Sequence, residues 1–156
     1  MKNNEVFVDS SMSTFKDSSG KTVAVNVGKC HVTDRDGKEL YFEVWDTPRS
    51  NNFFEARAIY LAAKYFLENK IYNGVIYSDS QTARAWFNNG KVGKVKYNQT
   101  EIEEMIHHYT GMKTLMNFEL KMWDTKTNGE NPADYGNKWE EYFFEIQHKT
   151  RGYRLL

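Results

Sequence analysis

A single cysteine, Cys30, stands in a chain of 156 residues. That excludes an internal disulfide framework and fits a reducing compartment; Cys30 itself reads as a buried strand residue. No long apolar run is present, and a mean hydropathy of -0.75 argues against a membrane-spanning helix. Net charge is also lacking, because 21 Lys and Arg balance 21 Asp and Glu. Any binding of nucleic acid must therefore come from local basic patches rather than from bulk charge. No secretory signal pattern opens the chain, and no repeat, low-complexity tract or linker divides it. The expectation is one domain over residues 1–156, a monomer in the cytoplasm with no membrane contact. Neither a Cys-x-x-Cys nor a His-x-x-x-His pattern offers a zinc site, and the adjacent His107 and His108 would face different directions on a helix.

What is present suffices for a core. Hydrophobic residues make up 40% of the chain and aromatics 15%, which excludes disorder. An apolar run over residues 5–10 predicts a strand ending at Asp9-Ser10-Ser11. A turn cluster follows at residues 16–20, then Val23, Val25 and Val27 alternate with Ala24, Asn26 and Gly28, the period of a half-buried strand. Asp34-Arg35-Asp36-Gly37 reads as a hairpin turn, with Leu40, Phe42 and Val44 on the returning strand. Residues 52–69 contain no Gly or Pro and carry an apolar stripe at Ile59, Ala62 and Phe66. Glu55 lies one turn before Ile59 on that stripe, an unusual place for a carboxylate. A strand at 75–77, a helix at 80–88, a helix from Thr100 through Tyr109 with Glu103 completing a capping box, and a strand at 118–123 follow. Asn131-Pro132 then opens a final helix, with Asn at the cap and Pro at the first position.

Four acids, Asp9, Glu55, Asp79 and Asp134, fall where these strands end or helices begin. Strand C-terminal ends and helix N-termini converge on one sheet edge in α/β folds, where ligands bind. Carboxylates crowded there repel one another unless a divalent cation holds them. The pattern points to a metal-dependent enzyme acting on phosphate esters. Each acid also has a plainer reading: Asn52 with Glu55 as a cap, Asp79 as the next cap, Asp134 in a first turn favoured by the macrodipole. Asp9, on a strand, gains nothing from capping. Two basic segments are candidate phosphate contacts: Gly90-Lys91-Val92-Gly93-Lys94-Val95-Lys96-Tyr97, and the tail 148–154, which reads as a solvated terminus.

The element order β-β-β-α-β-α-α-β-α, with its acids in these places, resembles the ribonuclease H family over nearly the whole chain. Val-Phe-Val-Asp9 matches the family's first-strand Asp. Ser50-Asn51-Asn52-Phe53-Phe54-Glu55 matches its Thr/Ser-Asn-Asn-x-x-Glu signature, and Ser78-Asp79-Ser80-Gln81 its Thr/Ser-Asp-Ser-Gln signature. Asn131-Pro132-Ala133-Asp134 is similar to the retroelement-type form of the last acid. The resemblance implies an α/β fold, ribonuclease H-like, with a mixed five-stranded sheet (three antiparallel strands, then two parallel) and helices on both faces. It implies an endonuclease that hydrolyses the RNA strand of RNA–DNA hybrids, leaving 5′-phosphate and 3′-hydroxyl ends. Two Mg²⁺ or Mn²⁺ ions would be bound, with Asp9 bridging, Glu55 and Asp79 on one ion and Asp134 on the other. Asn51, Asn52 and Gln81 would sense the RNA strand, and Ser50 would contact a phosphate of the DNA strand. Lys91, Lys94 and Lys96 would hold further phosphates.

The chain departs from the family pattern in three places. Ser10-Ser11-Met12-Ser13 stands where many cellular members have a glycine-rich stretch, and the short 91–96 loop replaces a long basic helix. The segment 123–130 lacks the family's loop histidine, which leaves Lys126 or Glu130 to act in its place or turnover to be slow. Two other classes remain open from sequence: a DNA-directed, resolvase-like nuclease with the same acids, and a hybrid-binding protein with weak catalysis.

Overall fold

At Asp34 the chain reverses through a closed loop in which the Asp34 amide donates to the Lys38 carbonyl (3.0 Å) and the Gly37 amide to the Asp34 carbonyl (3.1 Å). Gly37 takes φ +82°, which a glycine adopts without strain. This is the hairpin expected from Asp-Gly, and it joins the second and third strands of a five-stranded sheet. The computed structural model describes residues 4–16, 19–20, 22–45, 50–95 and 98–134. Within them the chain forms β1 (Glu5–Lys16), β2 (Thr22–Thr33), β3 (Glu39–Trp45), α1 (Asn51–Glu68), β4 (Val75–Ser78), α2 (Gln81–Asn89), α3 (Gln99–Met116), β5 (Glu119–Met122) and a single turn, α4 (Thr125–Asn128). The strand order is β3-β2-β1-β4-β5. β1, β2 and β3 pair antiparallel, while β4 pairs parallel with both β1 and β5. This is the mixed sheet expected.

Alternation divides the central strand between two faces. Val6 and Val8 join Cys30 and Val32 in the core beneath α1, which contributes Phe54, Ile59, Ala62 and Phe66. Phe7 points the other way and packs against Trp123, Ala133 and Tyr77. Its ring stacks on Tyr77 at 5.2 Å and meets the edge of Trp123 at 5.2 Å. Residues 29, 31 and 33 of β2 share this second face with Phe7 and Asp9, since Asp9 lies opposite His31.

Two contacts set α1 against the sheet. Phe54 covers Gly28, where a Cβ would lie 2.1 Å from the ring, so the first turn approaches β2 more closely than any side chain at 28 permits. Glu43 on β3 accepts both a two-pronged bond from Arg57 (2.9 and 3.0 Å) and one from the Trp45 indole (2.9 Å). Arg57 also lies over the rings of Trp45 and Tyr60. Mostly buried, this network fixes the rotation of α1.

The structure corrects five local expectations. β1 continues to Lys16 instead of ending near Ser10, because its polar second half pairs with β2 from Cys30 back to Thr22; ladder hydrogen bonds need no apolar side chains. α3 starts after Asn98 (φ +65°), whose side-chain amide donates to Glu101 at 2.9 Å, so no capping box forms at Thr100. The same helix runs on to Met116, because Met112 and Met116 continue its buried stripe. The caps of α1 and α2 are Ser50 and Ser80, accepting from Phe53 (3.1 Å) and Ala83 (3.1 Å), rather than Asn52 and Asp79. Residues 131–134 form a turn in place of the final helix expected to open at Asn131-Pro132, and the residues expected to continue that helix lie outside the described residues. No described helix is long and apolar enough to cross a membrane.

Candidate metal centre

β1 and β4 pair only from Glu5↔Val75 to Phe7↔Tyr77. Two residues past that last pair, each strand carries an aspartate, Asp9 within β1 and Asp79 just beyond the end of β4. Asp9 therefore sits in mid-strand and not at a strand end, yet at the point where its parallel neighbour stops. The sheet opens there, and the opening is what leaves room for a site.

Glu55 enters from α1. The close seat of Phe54 on Gly28, with the Cys30 thiol 3.5 Å from the Phe54 carbonyl, carries the first turn down onto the sheet. Glu55 is only 7% exposed there. Carboxylate oxygens of Asp9, Glu55 and Asp79 all lie within 4.8 Å of one another. Asp134, exposed in the turn after Asn131, does not join that set, although its charge bears on Asp9 and on Asp79.

The electrostatics follow from the crowding. Burial, followed by the charge of Asp79, raises the Asp9 carboxyl to about 7. Burial and then repulsion from Asp9 raise Glu55 to about 8. Asp79 is raised by burial, against hydrogen bonds that favour its charged form, including one from the Asn131 side chain. Glu55 Oε2 is buried without a hydrogen bond of ordinary geometry, and the nearby Ser10 hydroxyl offsets only part of the rise. Hard oxygens, an unsatisfied buried acceptor and carboxyls that resist ionisation together fit a divalent cation, which would supply the missing positive charge.

Three further residues belong to this neighbourhood. Asn131, 3% exposed, donates to the Val8 carbonyl at 2.8 Å and accepts from the Ala133 amide at 3.0 Å. It pins the Asp134 turn to the strand that carries Asp9, a part that its sequence position as a helix cap does not disclose. Arg84, in the first half of α2, lowers the Asp79 carboxyl by its charge; its position one turn into the helix after Ser80 is the signal that could have found it. Lys29 is 2% exposed on the Asp9 face. Burial pushes its ammonium down, while Asp9 and then Asp134 pull it back up. Its signal in the sequence is a lysine at an inward position of an alternating strand.

The remaining expected contacts lie at the helix starts and in the loop after α2. Ser50 caps α1, with Asn51 and Asn52 exposed in its first turn. Gln81 is exposed at the start of α2. Lys91 and Lys94 are exposed on the loop between α2 and α3, and Lys96 lies outside the described residues. In the histidine-free segment, Asp124 caps α4 by accepting from the Lys126 amide (3.0 Å), and Lys126 and Glu130 are exposed. His107 and His108 are both exposed on α3, while Cys30 is fully buried, as expected.

No protein-family model matches the chain, and no curated protein matches it in sequence. Solved structures do match in shape. Ribonuclease H1 of the halophilic archaeon Halobacterium salinarum aligns with a TM-score of 0.52 at 13% identity, over 88% of this chain and 97% of that one. LC11 ribonuclease H1, solved in complex with an RNA/DNA hybrid, aligns at 0.50 with 15% identity, over 81% and 89%. The protease–reverse transcriptase of prototype foamy virus also aligns at 0.50 with 15% identity, over 97% of this chain and 21% of that much longer one. Likeness at such identities speaks to architecture and not to chemistry. With its strand order, its parallel β1–β4 pair and these neighbours, the chain has the ribonuclease H fold.

Proposed function

We propose that this protein is a divalent-metal-dependent endonuclease that hydrolyses the RNA strand of RNA–DNA hybrids. The observation that carries the reading is the set of three carboxylates from β1, α1 and the end of β4, all within 4.8 Å of one another. Two of them are raised to about 7 and about 8 by burial and mutual repulsion. A fold stabilised for its own sake gains nothing from burying like charges together. Solved ribonucleases H of the same fold, one bound to an RNA/DNA hybrid, support the substrate class.

Asp9, Glu55 and Asp79 would hold a Mg²⁺ or Mn²⁺ ion, and in the two-ion form Asp9 and Asp134 would hold a second. A bound ion would polarise the scissile phosphate and acidify the attacking water. The chain's own groups do the rest. Asn131 and the Glu43–Arg57 network hold the carboxylates in place before any ligand arrives. Ser50, Asn51, Asn52 and Gln81, at the N-termini of α1 and α2, would seat the backbone and sense the 2′-hydroxyl. Lys91, Lys94 and Lys96 would hold phosphates farther along. The products would be 5′-phosphate and 3′-hydroxyl ends, made by a single-domain monomer acting in the cytoplasm.

The test is cleavage of labelled RNA–DNA hybrid, double-stranded RNA and double-stranded DNA with Mg²⁺, Mn²⁺ or chelator. Metal-dependent cutting of the hybrid alone is expected. Equal cutting of all-DNA duplex or junctions would replace the reading with a resolvase-like nuclease, and binding of hybrid without cleavage would leave a binding protein.

A further inference from the structure

We infer that Lys29 is a resident cation of the acidic centre: its ammonium takes the place of a second divalent ion between Asp9 and Asp134, so that the chain without substrate binds one ion. This rests on the metal-nuclease reading above and deepens it. The geometry comes from the strand register. Asp9 lies opposite His31 and Ser11 opposite Lys29, so Lys29 is one step along the same face as Asp9. It is 2% exposed and among the largest fully buried side chains. A buried ammonium persists only beside compensating charge. Asp9 and Asp134 are the first and second of the groups that stabilise its charge, with Glu55 behind them.

A second observation agrees. The acids drawn together are Asp9, Glu55 and Asp79, a complete set for one ion. Asp134, which the two-ion form would need, stands outside that set, and its charge acts on Lys29 as that of Asp9 does. The positive charge that an Asp9–Asp134 ion would bring is already supplied by β2. A fixed positive charge disfavours a divalent ion in the same place. Lys29 thus acts as a positioning and charge-balancing residue, and it would lie close to the phosphate that a second ion would otherwise contact.

The experiment counts ions and does not depend on turnover. Mn²⁺ binding to the full chain would be followed by calorimetry, and Mn²⁺ spin coupling by electron paramagnetic resonance, for wild type, Lys29→Met and Asp134→Asn. Wild type should bind one ion without a spin-coupled pair. Lys29→Met should bind two, spin-coupled, with the added ion at least about tenfold tighter than any second site in wild type, or about 1.4 kcal/mol. Asp134→Asn should still bind one ion with affinity changed less than about threefold, a readout that holds even where Lys29→Met does not fold. Two ions on wild type, one on Lys29→Met, or loss of an ion on Asp134→Asn each overturns the inference. Two ions on a wild type that cuts hybrid overturns it alone, whereas no ion on any variant and no cleavage removes the metal-nuclease reading with it.

Discussion

Replacing Glu55 by Gln should stabilise the ion-free protein while destroying its activity, and the gain should depend on pH in a calculable way. In the folded chain burial and the Asp9 charge lift Glu55 from 4.5 to about 8. Between those values the folded state holds a proton that the unfolded state has lost, so stability falls as pH rises. The contribution is fully present below the unfolded value and gone above the folded one. At about 1.36 kcal/mol per unit, the shift removes up to about 4 kcal/mol between about pH 5 and about pH 8.5. Gln is near-isosteric and never ionises, so it escapes this loss. Urea unfolding in chelator should show the Glu55→Gln advantage widening by up to about 4 kcal/mol over that range. With an m-value of about 2 kcal/mol/M, that is a midpoint difference growing by about 2 M. Saturating Mg²⁺ should narrow the gap at the alkaline end by neutralising the wild-type carboxylate. An advantage that stays constant from about pH 5 to about pH 8.5, or shrinks, would refute the claim that Glu55 is held against its ionisation.

Other expectations can be checked alongside. Asp79→Asn should abolish hybrid cleavage with thermal melting intact, since the amide cannot balance a divalent ion; near-full activity would sink the metal reading. Asn131→Ala should cost about 1–3 kcal/mol in urea unfolding, because the Val8 carbonyl loses its buried donor, and should lower cleavage by loosening the Asp134 turn. Gly28→Ala should destabilise by about 1–3 kcal/mol, since its Cβ would meet the Phe54 ring at 2.1 Å; an unchanged midpoint would show that α1 shifts freely. Changing Lys91 and Lys94 to Ala should reduce the log–log salt slope of hybrid binding by about 0.9 for each phosphate that is no longer neutralised, and an unchanged slope would assign the loop to solvation.

Much of this architecture is legible because the side-chain periods are strong where packing is strong. The α1 stripe around Ile59 and the short strands at 75–77 and 118–123 mark surfaces that end up buried or paired, and the Asp-Gly turn marks the reversal between two of the strands. Glu55 is conspicuous because a carboxylate on an apolar stripe violates the pattern of its own helix. The extension of β1 comes from tertiary pairing that leaves no local trace, whereas the shifted helix starts come from side chains that compete locally for the same amides. The polar half of β1 is a strand because β2 lies beside it, so Asp9 reads as an end and is a middle. Caps fall on Ser50 and Ser80 rather than on Asn52 and Asp79, and the carboxylates of Glu55 and Asp79 meet Asp9 instead. Lys29 and Asn131 are visible as letters, but what makes each matter is a partner in a distant segment.

The bond from Asn131 to the Val8 carbonyl joins residues 123 positions apart. A chain emerging from the ribosome in order can pair β1 with β2 and later with β4 while this carbonyl waits for its donor. Asp9, Glu55 and Asp79 are all synthesised well before Asn131 and the Asp134 turn arrive. With β4 held beside β1 and Trp123 bonded to Ser78, only the short stretch from Trp123 to Asn131 is left to close. The centre is thus locked by one of the last described segments to be made. The three clustered acids are thus in the chain before the segment that fixes their fourth neighbour exists.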